Sequence, residues 1–367
     1  MSLADLALPF VKALSPEAAH EATIKGLKLG IGLPKINPTA WNTPIELPRS
    51  GLTFYNPVGL AAGFDKNADV HRQMARFGFG FIECGTVTPR PQPGNPKPRL
   101  FRLKEDQGVI NRMGFNNHGL DYFVRRLRRN PANITCPFGA NVGANKTSDD
   151  FIADYEAGIA AVYPIATYIT INISSPNTPG LRGLQGKAAL EALLSRCERA
   201  QLQAQTAWEE THGGDFDGWK PVFLKIAPDL DSEAIEDIVE TVRGAGHWLS
   251  GLIISNTTID RPGSLVSHHK GESGGLSGAP LMAKSTRVLK EIASELLGEF
   301  DLIGCGGIMN GADAYTKIRS GAHAVQLYSA LSIHGPGLVA RINEDLASLL
   351  KADGFSSLAE AVGADLR

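Results

Sequence analysis

The stretch INISSPNTPGLRGLQ, residues 171–185, runs from apolar residues into serines, asparagines, prolines and glycines, with no charge before Arg182. Ser175 at its centre has no histidine or acidic neighbour in sequence, so nothing indicates a serine nucleophile activated by a triad. Clusters of the same kind recur: AAGFDKN at 61–67, CGTVTPRPQPGNPKPR at 84–99, NVGANK at 141–146, KIAPDL at 225–230, SNTT at 255–258, GCGGIMNG at 304–311 and YSA at 328–330. Gly304, Gly306 and Gly307, helped by GGLSG at 274–278, suit bare backbone N–H groups closing on a phosphate. Lys66 and Lys225 each interrupt an apolar run, where an ammonium is costly unless it meets a carboxylate, a phosphate or an electron-rich ring.

Each cluster ends a short run rich in Val, Ile, Phe and Gly, and eight such runs read as strands: 58–62, 79–86, 138–143, 168–174, 221–227, 251–256, 301–305 and 324–329. Helix-period stretches lie between them at 150–163, 187–209, 231–244, 281–297 and 311–320, and another follows the last strand. Eight alternating units point to an α/β fold, a closed (β/α)₈ barrel, whose strand ends meet on one rim. One cluster alone is ordinary turn chemistry; eight converging clusters are a site.

A chain of 367 residues fits one large domain with an appendage. With 36 basic against 38 acidic residues, a nucleic-acid partner is not expected. Cys84, Cys136, Cys197 and Cys305 are widely spaced and read as reduced core thiols. RRLRR at 125–129 reads as a solvated helix face, and His268 with His269 lacks the further ligands of a metal site, so no metal is expected. NIT at 133–135 and NIS at 172–174 match the glycosylation pattern, but no secretion signal is evident.

Residues 1–35 read as two short amphipathic helices. Leu3, Leu6, Ala7, Phe10 and Leu14 share a face of the first, which Pro9 limits. Ser15 and Pro16 open the second, on which His20, Ile24, Leu27 and Ile31 share one face and Glu17, Glu21, Lys25 and Lys28 another. Such a hairpin can pack on the domain behind it or lie on a membrane, and its weak charge leaves any docking hydrophobic. Pro34, Pro38, Pro44 and Pro48 mark the passage into a barrel domain at 36–367.

Taken in order, GLAAGFDKN, ECGTVTPRPQPGNPKPR, NRMGFNNHG, NISSPNTPGLRGLQ, SNTT, GGLSG and GCGGI resemble the dihydroorotate dehydrogenases of the quinone-dependent, membrane-associated class. The resemblance spans nearly the whole chain, from PEAAHE at 16–21 to the last strand. It implies an FMN-containing (β/α)₈ barrel that oxidises (S)-dihydroorotate to orotate in pyrimidine synthesis and passes electrons to ubiquinone or a related quinone. It implies FMN contacts for Ala62, Gly63, Lys66, Thr86, Asn141, Asn172, Lys225, Thr257, Gly278, Gly307, Tyr328 and Ser329, with Lys225 beside the isoalloxazine ring. Asn111, Asn172, Asn177 and Asn256 should hold orotate, assisted by Lys66, Gly114, Phe115 and Thr257, with Ser175 as catalytic base. The soluble class carries cysteine at that position and lacks the helical extension. By resemblance the extension becomes a quinone tunnel and docking element, with His20, Arg102 and Tyr328 around the quinone. A monomer bound peripherally to the cytoplasmic face of a bacterial inner membrane is the expectation. An alcohol is a poor base, so the proton should leave through a relay by way of Thr178 and water beside Phe115. A sugar-phosphate isomerase or aldolase barrel would share the glycine loops, yet would need an acidic or histidine base at strand ends. An FMN barrel reducing another pyrimidine or an enone, and a catalytically silent quinone-binding protein, are further alternatives.

Overall fold

The computed structural model describes residues 13–34, 44–128, 136–212 and 219–367, with Pro9, Val11 and Trp41. The expectations placed on Leu3, Leu6, Ala7 and Phe10, on Pro38 and on the 133–135 triplet lie outside these residues. The chain passes from α1 (Pro16–Lys28) through a hairpin of β1 (Ile45–Glu46) and β2 (Thr53–Phe54) to β3 (Val58–Leu60), α2 (His71–Ala75) and β4 (Phe81–Val87). It continues with β5 (Leu100–Leu103), β6 (Gly108–Asn111), α3 (Gly119–Leu127), β7 (Phe138–Val142), α4 (Phe151–Val162), β8 (Tyr168–Asn172) and α5 (Lys187–His212). Next come β9 (Val222–Ile226), α6 (Ser232–Arg243), β10 (Gly251–Ile254), β11 (Gly275–Gly278), α7 (Met282–Leu296), β12 (Asp301–Cys305) and α8 (Gly311–Arg319). β13 (Ala324–Leu327), α9 (Ser329–His334), α10 (Leu338–Ala352) and α11 (Leu358–Ala361) end it.

Eight parallel strands, β3, β4, β7, β8, β9, β10, β12 and β13, close into a barrel in that order. All eight fall on the apolar runs, because strands buried on both faces need continuous rather than alternating hydrophobicity. Asp150, Asp231 and Asn310 start α4, α6 and α8 by accepting the N–H three residues on.

Inside the barrel, side chains stack in layers. Phe81, Tyr168 and Phe223 form the lower layer with Ile253, Ile303 and Ala324, and Phe54 of the hairpin stacks on Phe81 at 4.0 Å to close that end. Gly59 makes room for it, since a Cβ there would stand 2.3 Å from the Phe81 ring. The same alternation carries Glu83, Thr170, Lys225 and Gln326 inward one layer higher.

A three-stranded antiparallel sheet, β5–β6–β11, was not foreseen. It is assembled from the β4–α3 and β10–α7 connections and stands over the rim on its own small core of Phe101, Leu103, Ile110, Leu265 and Leu276. α1 lies against β5, pinned at one end by Glu17 to Arg99 at 2.7 Å and at the other by Lys28 to Asp69 at 2.9 Å. Ser15 precedes α1 as expected, but its side chain makes no capping bond. Leu27 is buried and Ile24 half-buried, whereas Ile31, expected on their face, is exposed together with Leu14 and Leu29. α1 therefore packs on the barrel, while the residues flanking it leave apolar side chains outside. Of RRLRR, Arg125 and Arg128 are exposed, while Arg126 turns inward to the Asp69 carbonyl at 3.0 Å.

Candidate active site

Between α1, the β5–β6–β11 sheet and the barrel's strand ends lies a cavity of about 800 Å³. Most of the residues expected at the site line it; Gly304, Thr178 and Asn141 do not. Asn141 instead sits fully buried behind the wall, where its amide donates to Glu83 at 2.8 Å and its carbonyl accepts from Thr86 at 2.5 Å and Asn172 at 3.2 Å.

The floor is the polar layer. Glu83 is fully buried and accepts hydrogen bonds from Asn141, Thr170 and Gln326 at 2.8–3.0 Å, with the Lys225 ammonium 3.9 Å away. A carboxylate this deep must be paired and hydrogen-bonded to stay folded. Glu83 was missed from sequence, although a charge inside FIECG is the same signal that singled out Lys66 and Lys225.

On the strand ends above, amide and hydroxyl side chains hold one another in fixed orientations. Ser174, also missed, donates to the Asn172 carbonyl at 2.6 Å and accepts from the Asn256 amide at 2.9 Å. Asn177 donates to the Asn111 backbone carbonyl at 3.2 Å, so the β8 loop and β6 meet across the cavity. The Ser175 hydroxyl accepts the Asn177 N–H at 3.2 Å. Beside it Thr178 is buried, and its hydroxyl has no hydrogen-bond partner among the described residues. Phe115 holds φ at +50°, a costly conformation for an aromatic residue, and its carbonyl is fixed by the Asn117 amide at 2.7 Å. Arg182 spans the site's outer edge, donating to the carbonyls of Ser174 at 3.0 Å and Thr257 at 2.8 Å and to Asp229 at 2.8 Å.

Gly63, Gly278, Gly307 and Ser329 line another wall. Gly307 has φ +85°, and a Cβ there would fall 2.2 Å from the Met282 Cα, so only a bare backbone fits. Ser329 Oγ lies 2.7 Å from Ser277 Oγ across the same wall. Close-approach glycines beside hydroxyl donors, with Lys225 on the floor, fit a phosphorylated flat-ring cofactor such as a flavin nucleotide.

Lys66 donates to the Gly63 carbonyl at 2.7 Å, and burial pulls its amine down to about 8. Toward α1 the cavity turns apolar. His20 packs edge-on to Phe64 at 5.4 Å, and its ring nitrogen lies 3.5 Å from the Tyr328 hydroxyl. Burial and then the Lys66 charge pull His20 down to about 3, so its imidazole is neutral, and burial pushes Tyr328 up to about 12. Arg102 of β5 lines the cavity beside them and donates to the Leu14 carbonyl at 2.9 Å.

The four cysteines are free and buried, as read from their spacing. Cys84 comes within 4.8 Å of Asp65 and His71. Both Asp65 oxygens are occupied by the N–H groups of Asp69 and Val70 at 2.7 Å, and burial keeps the Cys84 thiol protonated, which suits a packed loop anchor.

Comparison with known proteins agrees with this arrangement. The family model described as dihydroorotate dehydrogenase matches residues 46–350. A protein of Azorhizobium caulinodans named dihydroorotate dehydrogenase (quinone) is 49% identical over the full length of both chains. One of Rhodospirillum rubrum with the same name is 51% identical over 99% of this chain and 94% of its own. Among solved structures, the Eimeria tenella DHODH in complex with ferulenol superposes with a TM-score of 0.89 at 38% identity, covering 96% of each chain. Its ligand-free form gives 0.89 at 39%, over 96% of this chain and 100% of that one. The chain belongs to the dihydroorotate dehydrogenase family.

Proposed function

We propose that this protein oxidises (S)-dihydroorotate to orotate, with FMN in its barrel and a membrane quinone as final electron acceptor. The observation that carries the reading is one continuous cavity. An asparagine-lined end holds Ser175, a glycine wall lies between, and an apolar end is roofed by α1. Family membership is consistent with it, and relatives of about half identity carry the quinone-dependent name.

Bound FMN supplies the redox chemistry, as hydride acceptor for substrate C6 and electron donor to the quinone. Gly63, Gly278, Gly307, Ser329 and Lys225 are the residues that would hold it, with Ala62, Thr86, Asn172, Thr257 and Tyr328 around them. Asn111, Asn172, Asn177 and Asn256 match the donors and acceptors of the pyrimidine edge, their amides already oriented by neighbours. Lys66 meets the substrate carboxylate, and Gly114, Phe115 and Thr257 complete the pocket.

Ser175 removes the proton from C5. Its hydroxyl acts as a base only if its own proton moves on, and the relay we propose runs through the unpartnered Thr178 hydroxyl, which passes a proton on to water beside Phe115. His20, Arg102 and Tyr328 frame the quinone end, with residues 1–35 as its entrance. Exposed Leu14, Leu29 and Ile31 fit docking on a lipid surface at the cytoplasmic face of a cell membrane. Among the described residues no helix is long and apolar enough to cross a membrane.

Ser175→Ala tests the chemistry. The variant should keep FMN and its colour but nearly lose anaerobic flavin reduction by dihydroorotate. Unchanged reduction would remove Ser175 from the mechanism.

A further inference from the structure

Lys317 is fully buried in α8, yet it lies outside the cavity. Its stem packs beneath Gly304, where a Cβ would come within 3.2 Å of the Lys317 Cβ and 3.4 Å of its Cδ. Its ammonium donates to Ser285 Oγ at 2.6 Å, and Ser285 Oγ donates to the Gly306 carbonyl at 2.9 Å. The amine thus reaches the back of the loop whose front, Gly306 and Gly307, lines the cavity.

A buried ammonium needs a compensating anion. The titratable groups that bear on it are Cys305 of β12, a thiol that burial keeps protonated, and Asp313 of its own helix. Asp313 already accepts the N–H of Met309 at 2.9 Å, and its own N–H donates to the capping side chain of Asn310 at 2.9 Å. Burial accordingly pulls the Lys317 amine down to about 7.

We propose that Lys317 is a positioning residue for the cofactor's phosphate: through Ser285 it orients the Gly304–Gly307 loop, and its charge is balanced by the phosphate seated on the loop's other face. The inference rests on the FMN reading above. It makes the lysine selective for the phosphorylated flavin, since riboflavin offers the same ring with no anion.

The test compares FMN and riboflavin on the full chain. FMN release from the holoprotein is followed by flavin fluorescence, and flavin-stripped protein is titrated with each flavin. Lys317→Met should weaken FMN binding about tenfold or more, the scale of one charge-assisted hydrogen bond, with riboflavin affinity unchanged. Ser285→Ala, a milder change, should give a smaller loss with the same selectivity, and decides the matter if Lys317→Met does not fold. Equal weakening of both flavins, or unchanged FMN affinity, overturns the proposal. Wild-type protein that binds neither flavin would instead sink the FMN reading itself.

Discussion

Glu17→Ala separates the two ends of the cavity. Glu17 accepts from Arg99 Nη2 at 2.7 Å and Nε at 3.2 Å, and the two side chains are only 13% and 8% exposed. Arg99 is held in place by the carbonyls of Pro93 at 2.7 Å and Asn95 at 2.8 Å, so it cannot follow the lost carboxylate into water. Removing one partner of a buried pair costs roughly 3–5 kcal/mol. The lower end applies here, because Arg99 keeps two carbonyl partners and Lys97 is exposed nearby. α1 is a 13-residue helix, too short to be stable undocked, so the cost appears as undocking rather than barrel unfolding. About 3 kcal/mol corresponds to roughly a 150-fold fall in the docked-to-undocked ratio. Hydrogen exchange should show the amides of 16–28 losing protection by up to that factor. Quinone-dependent turnover should fall, while anaerobic FMN reduction by dihydroorotate continues at the wild-type rate. Unchanged quinone turnover despite lost protection would refute α1 as the quinone-site roof. Equal loss of both half-reactions would make α1 a packing element only.

Gly307→Ala should yield folded, colourless protein, because the new methyl collides with the Met282 backbone where the cofactor's wall is built; retained flavin absorbance would contradict that placement. Lys66 is a cation below about 8 and neutral above it, so orotate should bind more weakly as pH rises through about 8, with proton uptake on binding near that pH; a flat affinity profile in titration calorimetry would exclude Lys66 as the carboxylate's partner. Arg182→Ala frees the Ser174 and Thr257 carbonyls together and should lower kcat by roughly ten- to a hundredfold, the scale of a small misplacement of reacting groups, with flavin content unchanged in stopped-flow and absorbance measurements.

Much of the barrel was legible because burial on both faces leaves a strong signal: runs such as YITIN and VFLKI ending in polar clusters. The β5–β6–β11 sheet was not, since LFRL and GVIN are half-buried four-residue strands and β11 pairs with β6 from more than 160 positions away. The polar clusters located the cavity, but not which members face it. Asn141, a cofactor contact by the resemblance, is tied through its side-chain carbonyl to Thr86 and Asn172, which line the cavity. Glu83 went unnoticed as one charge in a strand read as core, and Lys317 as one of three charges, with Asp313 and Arg319, in a stretch read only as helical. Only the folded chain shows that one neighbours Lys225 and the other backs the glycine loop. The helical period of α1 grouped Ile31 with Leu27, but the helix ends at Lys28 and Ile31 lies beyond that face.

A single cavity that joins a dihydroorotate site to a quinone site through a bound flavin must run both half-reactions. Anaerobic mixing of the holoprotein with dihydroorotate, followed by addition of a quinone, measures both halves on one sample. Dihydroorotate should bleach the flavin with one orotate formed per flavin, and quinone should restore the colour. Flavin that stays oxidised with dihydroorotate, or stays reduced after quinone is added, would contradict that reading.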